Sequence, residues 1–286
     1  MATTRIYLDT NQWTNCVEPR VAGWTTRGLE DLRAAMRAKL DAGDASFLGS
    51  HFHLEEMSRT PDQYRRPIIE FFWSMVRWFV LLPTVELAKL EVAAGRPLEA
   101  NEPFVTFDHQ QRLKQLSRNG QDFDGIGQRV AADNKQAKTA HTQRRERIQV
   151  EIPNRVQGMT SEQATKDLWK DPEATLKDWA DSYLAKSKKH FGLPDDTALW
   201  PDPVKLPTIR AIIVSHLARI YMQLVEHRKI LESDEHDSHH YAAASYSDVF
   251  VSEDRAFRDT LAQVPRNPVK VITFNDFAVM MGIRPH

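Results

Sequence analysis

The stretch from Asp237 to Phe257 constrains the fold of this chain more than any other part of the sequence. Asp237 is expected to open a helix whose small residues, at 242–245, allow close packing, and the hydrophobic residues at 249–251 favour a short strand. A second helix is predicted from Arg255, directly after the acidic turn that ends in Asp254. Carboxylates therefore stand at a helix start and just past the carboxyl end of a strand, which is where open α/β sheets bind ligands.

Short hydrophobic runs alternate with amphipathic segments over both ends of the chain. The runs predict strands at 5–8, 46–49, 80–83, 249–252 and 270–274. The segments predict helices at Thr26–Leu40, His51–Ser58, Pro67–Phe79, Val85–Ala94, Pro207–Ile230 and Asn275–Met281. This alternation is typical of an α/β fold with a central, mainly parallel sheet.

The middle of the chain has a different pattern. Residues 96–206 carry little strand signal and many polar, helix-forming residues. They are predicted to form a helical insertion between the two parts of an α/β domain, residues 1–95 and 207–286. The segment Gln110–Ile148 is rich in Arg and Lys, and it forms either a solvated helical face or an arm that contacts phosphates.

The helix predicted at Pro67–Phe79 is strongly aromatic, which indicates packing in a core. A surface that stacks on single-stranded bases would instead need exposed rings beside basic groups. Arg65, Arg66 and Arg77 keep that alternative open.

Further acidic residues follow the first two predicted strands. Asp9 comes directly after the strand at 5–8 and precedes Thr10 and Asn11, while Glu55 and Glu56 lie in the helix after the second strand. Adjacent helix residues point about 100° apart, so only one of the two glutamates can face a site squarely. The plain alternative is that Asp9 caps a helix and that the glutamates are solvated on a helix surface.

Together these elements resemble the PIN-domain nucleases. The resemblance is carried by four acids in the same order, by the polar residue after the first acid, and by the hydroxyl of the Ser-x-Asp turn. These residues are Asp9, Glu56, Asp237, Asp254, Asn11 and Ser252. The resemblance covers residues 1–95 and 207–286, and the long insertion departs from the family's pattern. It implies a PIN-like α/β/α sandwich in which the four acids bind metal and act in catalysis.

The implied chemistry follows from gathering several carboxylates in one place. They repel one another, so such a site needs a compensating cation, and oxygen ligands select Mg²⁺ or Mn²⁺. These ions activate a water for attack on a phosphodiester. The resemblance therefore implies a metal-dependent nuclease, with RNA preferred over DNA, acting as a toxin, an RNA-processing enzyme or a defence effector. The candidate substrate contacts are Asn11, Ser252, Arg255, Arg144 and Arg145. An antitoxin-like protein is a candidate partner, and a homo-oligomer is compatible with the sequence.

Two other functions stay open. Zinc could be bound by His236, His239 and His240 with Asp234 or Asp237, since histidine favours transition metals. The chain could also be an inactive PIN-like scaffold that binds RNA or a protein, although all four acidic positions are filled. It contains no G-x-S-x-G motif of a serine hydrolase and no P-loop or G-x-G-x-x-G motif for nucleotides.

Composition limits the class of protein. The formal net charge is −1 over 286 residues, so binding to nucleic acid would need a local basic patch. The single cysteine, Cys16, rules out a disulfide framework and favours a reducing compartment. No apolar run approaches the about 20 residues that span a bilayer, and the N-terminus lacks a signal-peptide pattern. A cytoplasmic protein without membrane contacts is expected.

Overall fold

The computed structural model describes residues 3–18, 20–58, 62–99, 101–118, 163, 170–224, 232–263, 267 and 269–284. Over these ranges the chain forms a parallel β-sheet with helices packed on both of its faces. The predicted α/β fold with a central parallel sheet is thus confirmed. No helix in the described ranges is long and apolar enough to cross a membrane.

The sheet has the strand order β2-β1-β3-β4, and each neighbouring pair is parallel. Its strands are β1 (Thr4–Leu8), β2 (Ala45–Leu48), β3 (Val249–Val251) and β4 (Lys270–Ile272). These strands confirm the predictions at 5–8, 46–49, 249–252 and 270–274, with small shifts at their ends. The strand predicted at 80–83 is reduced to isolated bridges, from Val80 to Gly49 in parallel and from Leu81 to Phe104 in antiparallel orientation.

The helices before the sheet's last two strands are α1 (Thr10–Val17), α2 (Thr26–Asp41), α3 (His51–Ser58), α4 (Asp62–Val76), α5 (Thr84–Ala94), α6 (Phe107–Arg118), α7 (Pro172–Phe191), α8 (Pro207–Leu224) and α9 (Glu232–Ala243). After β3 come α10 (Arg255–Gln263) and α11 (Phe274–Met281). Three predicted boundaries are wrong. Helix α4 begins at Asp62, so Pro67 lies inside it instead of opening it. Helix α4 ends before Phe79 because Arg77 adopts a left-handed φ of 51°, which terminates a helix. Helix α9 begins at Glu232, so Asp237 lies inside it instead of opening it.

Alternate side chains of β1 enter two separate hydrophobic cores. Ile6 and Leu8 pack in a first core with α1, α2, α4 and α11. Tyr7 faces a second core, which contains residues of α5, α7, α8, α9 and α10. Because both faces of the sheet are covered, β3 is buried at all its positions and shows no polar alternation.

The aromatic residues of α4 lie mostly in the first core. Phe72 and Trp73 are buried, and Phe71 packs against this core. Trp78 lies beyond the helix end with 52% of its surface exposed, and its ring centroid is 5.0 Å from that of Phe107. Core packing is therefore confirmed for the helix itself, and Trp78 is the exception.

Residues 96–206 are described in part, and their status as a separate insertion stays a prediction. Helix α6 packs against α4, and α7 packs against α8. Most of the basic segment Gln110–Ile148, including Arg144 and Arg145, lies outside the described residues.

Glu91 of α5 is a buried carboxylate that ties three elements together. Its Oε1 accepts hydrogen bonds from Thr208 N at 2.9 Å, from Thr208 Oγ1 at 2.7 Å and from the Tyr246 hydroxyl at 2.6 Å. Thr208 lies in the first turn of α8, and Tyr246 lies in the 3-10 turn that leads to β3. Burial raises the pKa of the Glu91 carboxyl, and these hydrogen bonds oppose the rise.

Replacing Gly49, which follows β2, by Ala is expected to destabilise the fold by about 1–3 kcal/mol through overpacking. A Cβ atom at Gly49 would lie 2.6 Å from Cζ of Phe72 and 3.0 Å from Cγ1 of Val76. Gly28→Ala in α2 is the matched control, because its Cβ would meet only contacts of 3.5 Å or more and Ala favours a helix. Urea denaturation measures both variants, and equal unfolding midpoints would contradict the expected clash.

Candidate functional site

Asp9 is a buried carboxylate at the carboxyl end of β1. Its side chain caps α1, because Oδ1 accepts hydrogen bonds from the backbone N of Gln12 at 3.0 Å and from Gln12 Nε2 at 3.2 Å. Asp9 is only 5% exposed. Burial raises the pKa of Asp9, while the charge of His240 and the hydrogen bonds from Ser252 and Gln12 oppose the rise. The carboxylate is therefore held rigidly at the sheet edge where ligands bind in α/β folds.

The register of β1 with β3 places Ser252 next to Asp9, and Asp254 follows two residues later. Leu8 pairs with Val251, so the residues that follow them are neighbours at the carboxyl edge. The Ser252 hydroxyl hydrogen-bonds the Asp9 carboxylate, and Ser252 Oγ accepts a hydrogen bond from Asp254 N at 3.2 Å. Asp254 Oδ1 accepts from a backbone N–H in the first turn of α10 at 2.7 Å. Asp254 is thus the N-cap of α10 as well as a candidate ligand.

The capping role of Asp254 gives a prediction on stability. Asp254→Ala is expected to cost about 1 kcal/mol, whereas Asp254→Asn should be nearly neutral because Asn caps helices as well as Asp does. Urea denaturation of both variants measures the difference. Equal losses would show that the negative charge, and not the cap, stabilises α10.

Glu56 of α3 reaches the same region through His240 of α9. His240 Nε2 lies 2.8 Å from Glu56 Oε2 and 3.4 Å from Thr10 Oγ1. His240 is only 2% exposed, and its charge also acts on Asp9. Of the two adjacent glutamates, Glu56 is the one that makes this contact. His240 therefore contacts the acid of α3 directly and acts on Asp9, which follows β1, through its charge.

A chain of buried polar groups lies behind His240. The Tyr7 hydroxyl is 2.8 Å from His240 Nδ1 and 2.7 Å from Ser50 Oγ, and Ser50 Oγ is 3.2 Å from His53 Nδ1. We call Tyr7, Ser50, His53 and His240 the His240 network. Burial raises the pKa of Tyr7 well above its usual value, and the charges of Glu56 and Asp9 add to the rise. Tyr7 is therefore a neutral phenol.

His53 anchors the network to the backbone of β1. Its Nε2 donates to the carbonyl oxygen of Leu8 at 2.6 Å, and its Nδ1 accepts from Ser50 N at 3.0 Å. Burial, together with the charge of His240, lowers the pKa of His53 to about 3. His53 is therefore neutral and has a fixed tautomer. It joins the His240 network to the backbone carbonyl of Leu8, the residue before Asp9.

The other predicted site residues occupy different surroundings. Asn11 is exposed in the first turn of α1. Ser252 is fully buried and supports Asp9, so it does not present its hydroxyl to a substrate. Arg255 is exposed and pairs with Asp259 at 3.4 Å. Asp237 is partly exposed, one turn before His240 in α9.

The described residues do not bring the predicted metal ligands into one group, since no three His, Cys, Asp or Glu side chains among them are placed so that they could hold a metal ion. His240 contacts Glu56, and all four acids, Asp9, Glu56, Asp237 and Asp254, stay predicted ligands. The zinc alternative gains no support from this region, and the side chains of its Asp234 and His236 lie outside the described residues. Two carboxylates suit Mg²⁺, which keeps several waters and uses substrate phosphates as further ligands.

The supporting residues Tyr7, Ser50 and His53 were not among the predicted site residues. The sequence signal for them was weak, because a Tyr in a hydrophobic strand and a His in an amphipathic helix are ordinary core residues. Their role depends on contacts between distant parts of the chain.

Comparison with protein-family models, curated proteins and solved structures found no match to this chain. Its function is therefore inferred from the geometry of the site and from the resemblance in its sequence.

Proposed function

We propose that this protein is a PIN-like nuclease that hydrolyses phosphodiester bonds with Mg²⁺ or Mn²⁺, and that RNA is its preferred substrate. The observation that carries the proposal is the buried Asp9 carboxylate at the carboxyl end of β1, together with His240, which contacts Glu56 and whose charge acts on Asp9. Burial raises the pKa of Asp9 despite the opposing charge of His240, so a bound metal ion would favour its charged form.

A PIN-like sandwich is the fold that we propose for the layers around the sheet. In support, four strands lie where the resemblance expects them, and helices cover both faces of the sheet. Asp9 and Asp254 both follow the carboxyl ends of central strands, β1 and β3. This is the edge at which α/β sheets bind ligands, so a substrate phosphate would approach there.

Asp9 and Glu56 are the residues that we expect to hold the metal, with Asp237 and Asp254 as further candidates. A bound ion supplies an activated water and stabilises the charge that grows on the phosphate. The chain's own contribution is orientation. Gln12 and Ser252 fix the Asp9 carboxylate, and the buried surroundings strengthen its attraction for a cation.

The test is a cleavage assay with purified protein on structured RNA, unstructured RNA and single-stranded DNA. We expect Mn²⁺ or Mg²⁺ to support cleavage of RNA, and EDTA to abolish it. Protein that binds RNA but does not cut any of these substrates with either metal would instead support the inactive scaffold. This second function is supported by one observation: among the described residues, no group of side chains could hold a metal ion.

In a toxin role, a second protein would have to inhibit the nuclease. An antitoxin-like partner is therefore expected to suppress cleavage when it is present in the assay. RNA-processing and defence enzymes would instead differ in the substrate that they cleave. Comparing cleavage of structured RNA, unstructured RNA and single-stranded DNA begins to distinguish these two roles.

A further inference from the structure

We infer that the exposed aromatic pair of Trp78 and Phe107 is a binding surface for single-stranded nucleic acid, on which bases stack. The inference deepens the proposed function, because it assigns a group that would hold an RNA substrate. It rests on that function only for the preference for RNA. We call Trp78, Phe107 and the adjacent arginines Arg77 and Arg37 the Trp78 surface.

Both rings lie on the surface and are already in contact with each other. Trp78 is 52% exposed and Phe107 is 57% exposed, although their ring centroids are only 5.0 Å apart, with 35° between the ring planes. Large aromatic side chains are mostly buried in folded proteins, as Phe72 and Trp73 of α4 are here. The pair therefore presents apolar ring surface to solvent, and the bases of a single strand stack on such surface.

The backbone that carries Trp78 is held in one conformation. Arg77 is the only non-glycine residue with a positive φ in the described part of the chain, and the side chain of Gln110 donates a hydrogen bond to its carbonyl oxygen. Gln110 is 2% exposed and lies three residues after Phe107 in α6. This contact fixes the two rings relative to each other before a ligand arrives, which lowers the entropy lost on binding.

Basic groups border the two rings. Arg77 is exposed and pairs with Asp41, while Arg37 Nη2 donates to Oγ of Ser74, four positions before Trp78, at 3.0 Å. A guanidinium has five N–H donors, so each arginine can contact a phosphate beside these partners. Helix α6 carries three Arg or Lys residues and one acidic residue. Aromatic rings next to cations are the combination that single-strand binding sites use.

The Trp78 surface is connected to the carboxyl end of β2. Gly49, the residue after β2, donates from its backbone N to the carbonyl oxygen of Phe79 at 2.9 Å. His51 opens α3, and its ring centroid lies 5.7 Å from that of His109 in the first turn of α6. Because β2 lies beside β1 in the sheet, a strand bound on the two rings can continue towards the edge where Asp9 lies.

A protein partner matches this surface less well. A protein interface has an apolar core and buries about 800 Å² on each partner. The neighbours of Phe107 in the chain, Thr106 and Asp108, are exposed and polar, and the charged Arg77 precedes Trp78. The apolar part of the surface is therefore confined to the two rings, which suits one or two bases.

The experiment measures the affinity of a labelled, unstructured oligouridine RNA by fluorescence anisotropy in EDTA, so that neither cleavage nor a metal ion contributes. Trp78→Ala and Phe107→Ala each remove a stacking ring and are expected to weaken binding by about 5–150-fold. Trp78→Phe keeps a ring and should retain most of the affinity. A DNA strand of the same length should depend on the same two rings, because stacking uses only the base. Thermal melts establish that each variant is folded.

Arg77→Gly separates the charge of the surface from its fold. Gly adopts the left-handed conformation without strain, so this variant should melt close to the wild-type temperature. It should bind the RNA more weakly, and the slope of log affinity against log salt concentration should fall by about 0.7, because one phosphate contact is lost.

Leu199→Ala is the control, because it removes a side chain that is 70% exposed from a different part of the chain. Its affinity should equal that of wild type. If Trp78→Ala and Phe107→Ala bind oligouridine as tightly as wild type, the inference is overturned, and RNA cleavage by wild type would leave the proposed function standing. If wild type binds through the two rings but cuts no RNA with Mn²⁺, the proposed function fails and the inference stands. A wild-type dimer that Trp78→Ala converts into monomers in sedimentation would assign the surface to a second copy of the chain and overturn the inference.

Discussion

Asp9→Asn is expected to abolish metal-dependent RNA cleavage while the chain stays folded. Asn keeps the shape and still accepts from Gln12, and it caps helices as well as Asp does. It removes one anionic ligand from a hard-cation site. A loss of about 3 kcal/mol of transition-state stabilisation slows cleavage by about 100-fold, and we expect at least that effect. The assay compares initial rates in Mn²⁺ for the two proteins.

The matched control is Asp259→Asn, an exposed residue of α10 that pairs with Arg255. Its cleavage rate should equal that of wild type. Equal cleavage by Asp9→Asn and wild type would exclude Asp9 as an essential ligand.

The same Asp9 variant has an expected effect on stability that depends on pH. The pKa of Asp9 is raised in the folded protein, so the folded state holds this proton more tightly than the unfolded state does. The stabilising effect of that proton is complete below the unfolded pKa of about 3.9 and is lost as pH rises through the folded pKa. In EDTA, Asp9→Asn should therefore melt at or above the wild-type temperature at neutral pH. This advantage should shrink as the pH falls towards the unfolded value. A variant that melts far lower at neutral pH would show that the negative charge of Asp9 stabilises the fold, through the charge of His240.

The sheet could be predicted from the sequence because hydrophobicity is a local signal in buried parallel strands. Continuous apolar residues such as those of β3 stand out from the amphipathic helices around them. The run at 80–83 gives the same signal, yet it forms only bridges to Gly49 and Phe104. Hydrophobicity shows that this run is buried, but the length of a strand depends on how much neighbouring backbone is available to pair with it.

Helix ends were harder to predict, because the residues that favour caps are common inside helices too. Asp237 has the side chain of a good N-cap, but α9 begins at Glu232. Arg77 ends α4 with a backbone conformation that is typical of Gly, and an Arg in the sequence does not predict this conformation.

The residues of the candidate site also differ in whether the sequence predicts them. Asp9 and Glu56 could be identified because each follows a predicted strand, and parallel strands bring their carboxyl ends to one edge. The contact between Tyr7 and His240 joins residues that lie 233 positions apart in the chain. Nothing in the local pattern of either segment specifies that partner. Acids that follow predicted strands can thus be proposed as site residues from the sequence, whereas the buried contacts of His240 cannot be predicted from it.

Glu91→Ala is expected to cause the largest loss of stability, about 3 kcal/mol, while leaving the chemistry of the site intact. The substitution removes the acceptor for Thr208 N, for the Thr208 hydroxyl and for the Tyr246 hydroxyl. A buried donor that loses its partner costs about 1–3 kcal/mol. For a chain of this size, the expected loss lowers the melting temperature by about 5 °C. Urea denaturation and thermal melts measure the change.

Two further variants of α5 separate the loss of the buried hydrogen bonds from the loss of a glutamate on this helix. Glu86→Ala removes an exposed residue that pairs with Lys89 at 3.0 Å, and such pairs contribute at most about 1 kcal/mol. Glu91→Gln keeps one acceptor oxygen and should fall between the other two variants. Equal unfolding midpoints for Glu91→Ala and Glu86→Ala would show that the buried hydrogen bonds add nothing to stability.

The Glu91 variants also test whether stability and activity are independent in this fold. Tyr246 precedes β3, whose end carries Ser252 and Asp254, so Glu91 supports the site from the opposite end of that strand. Well below its melting temperature, Glu91→Ala should cleave within a few-fold of wild type, because its hydrogen bonds hold helices and not the metal ligands. Asp9→Asn should show the reverse, with full stability and no cleavage. A large loss of cleavage in folded Glu91→Ala would instead show that the position of β3 controls the geometry of the acids.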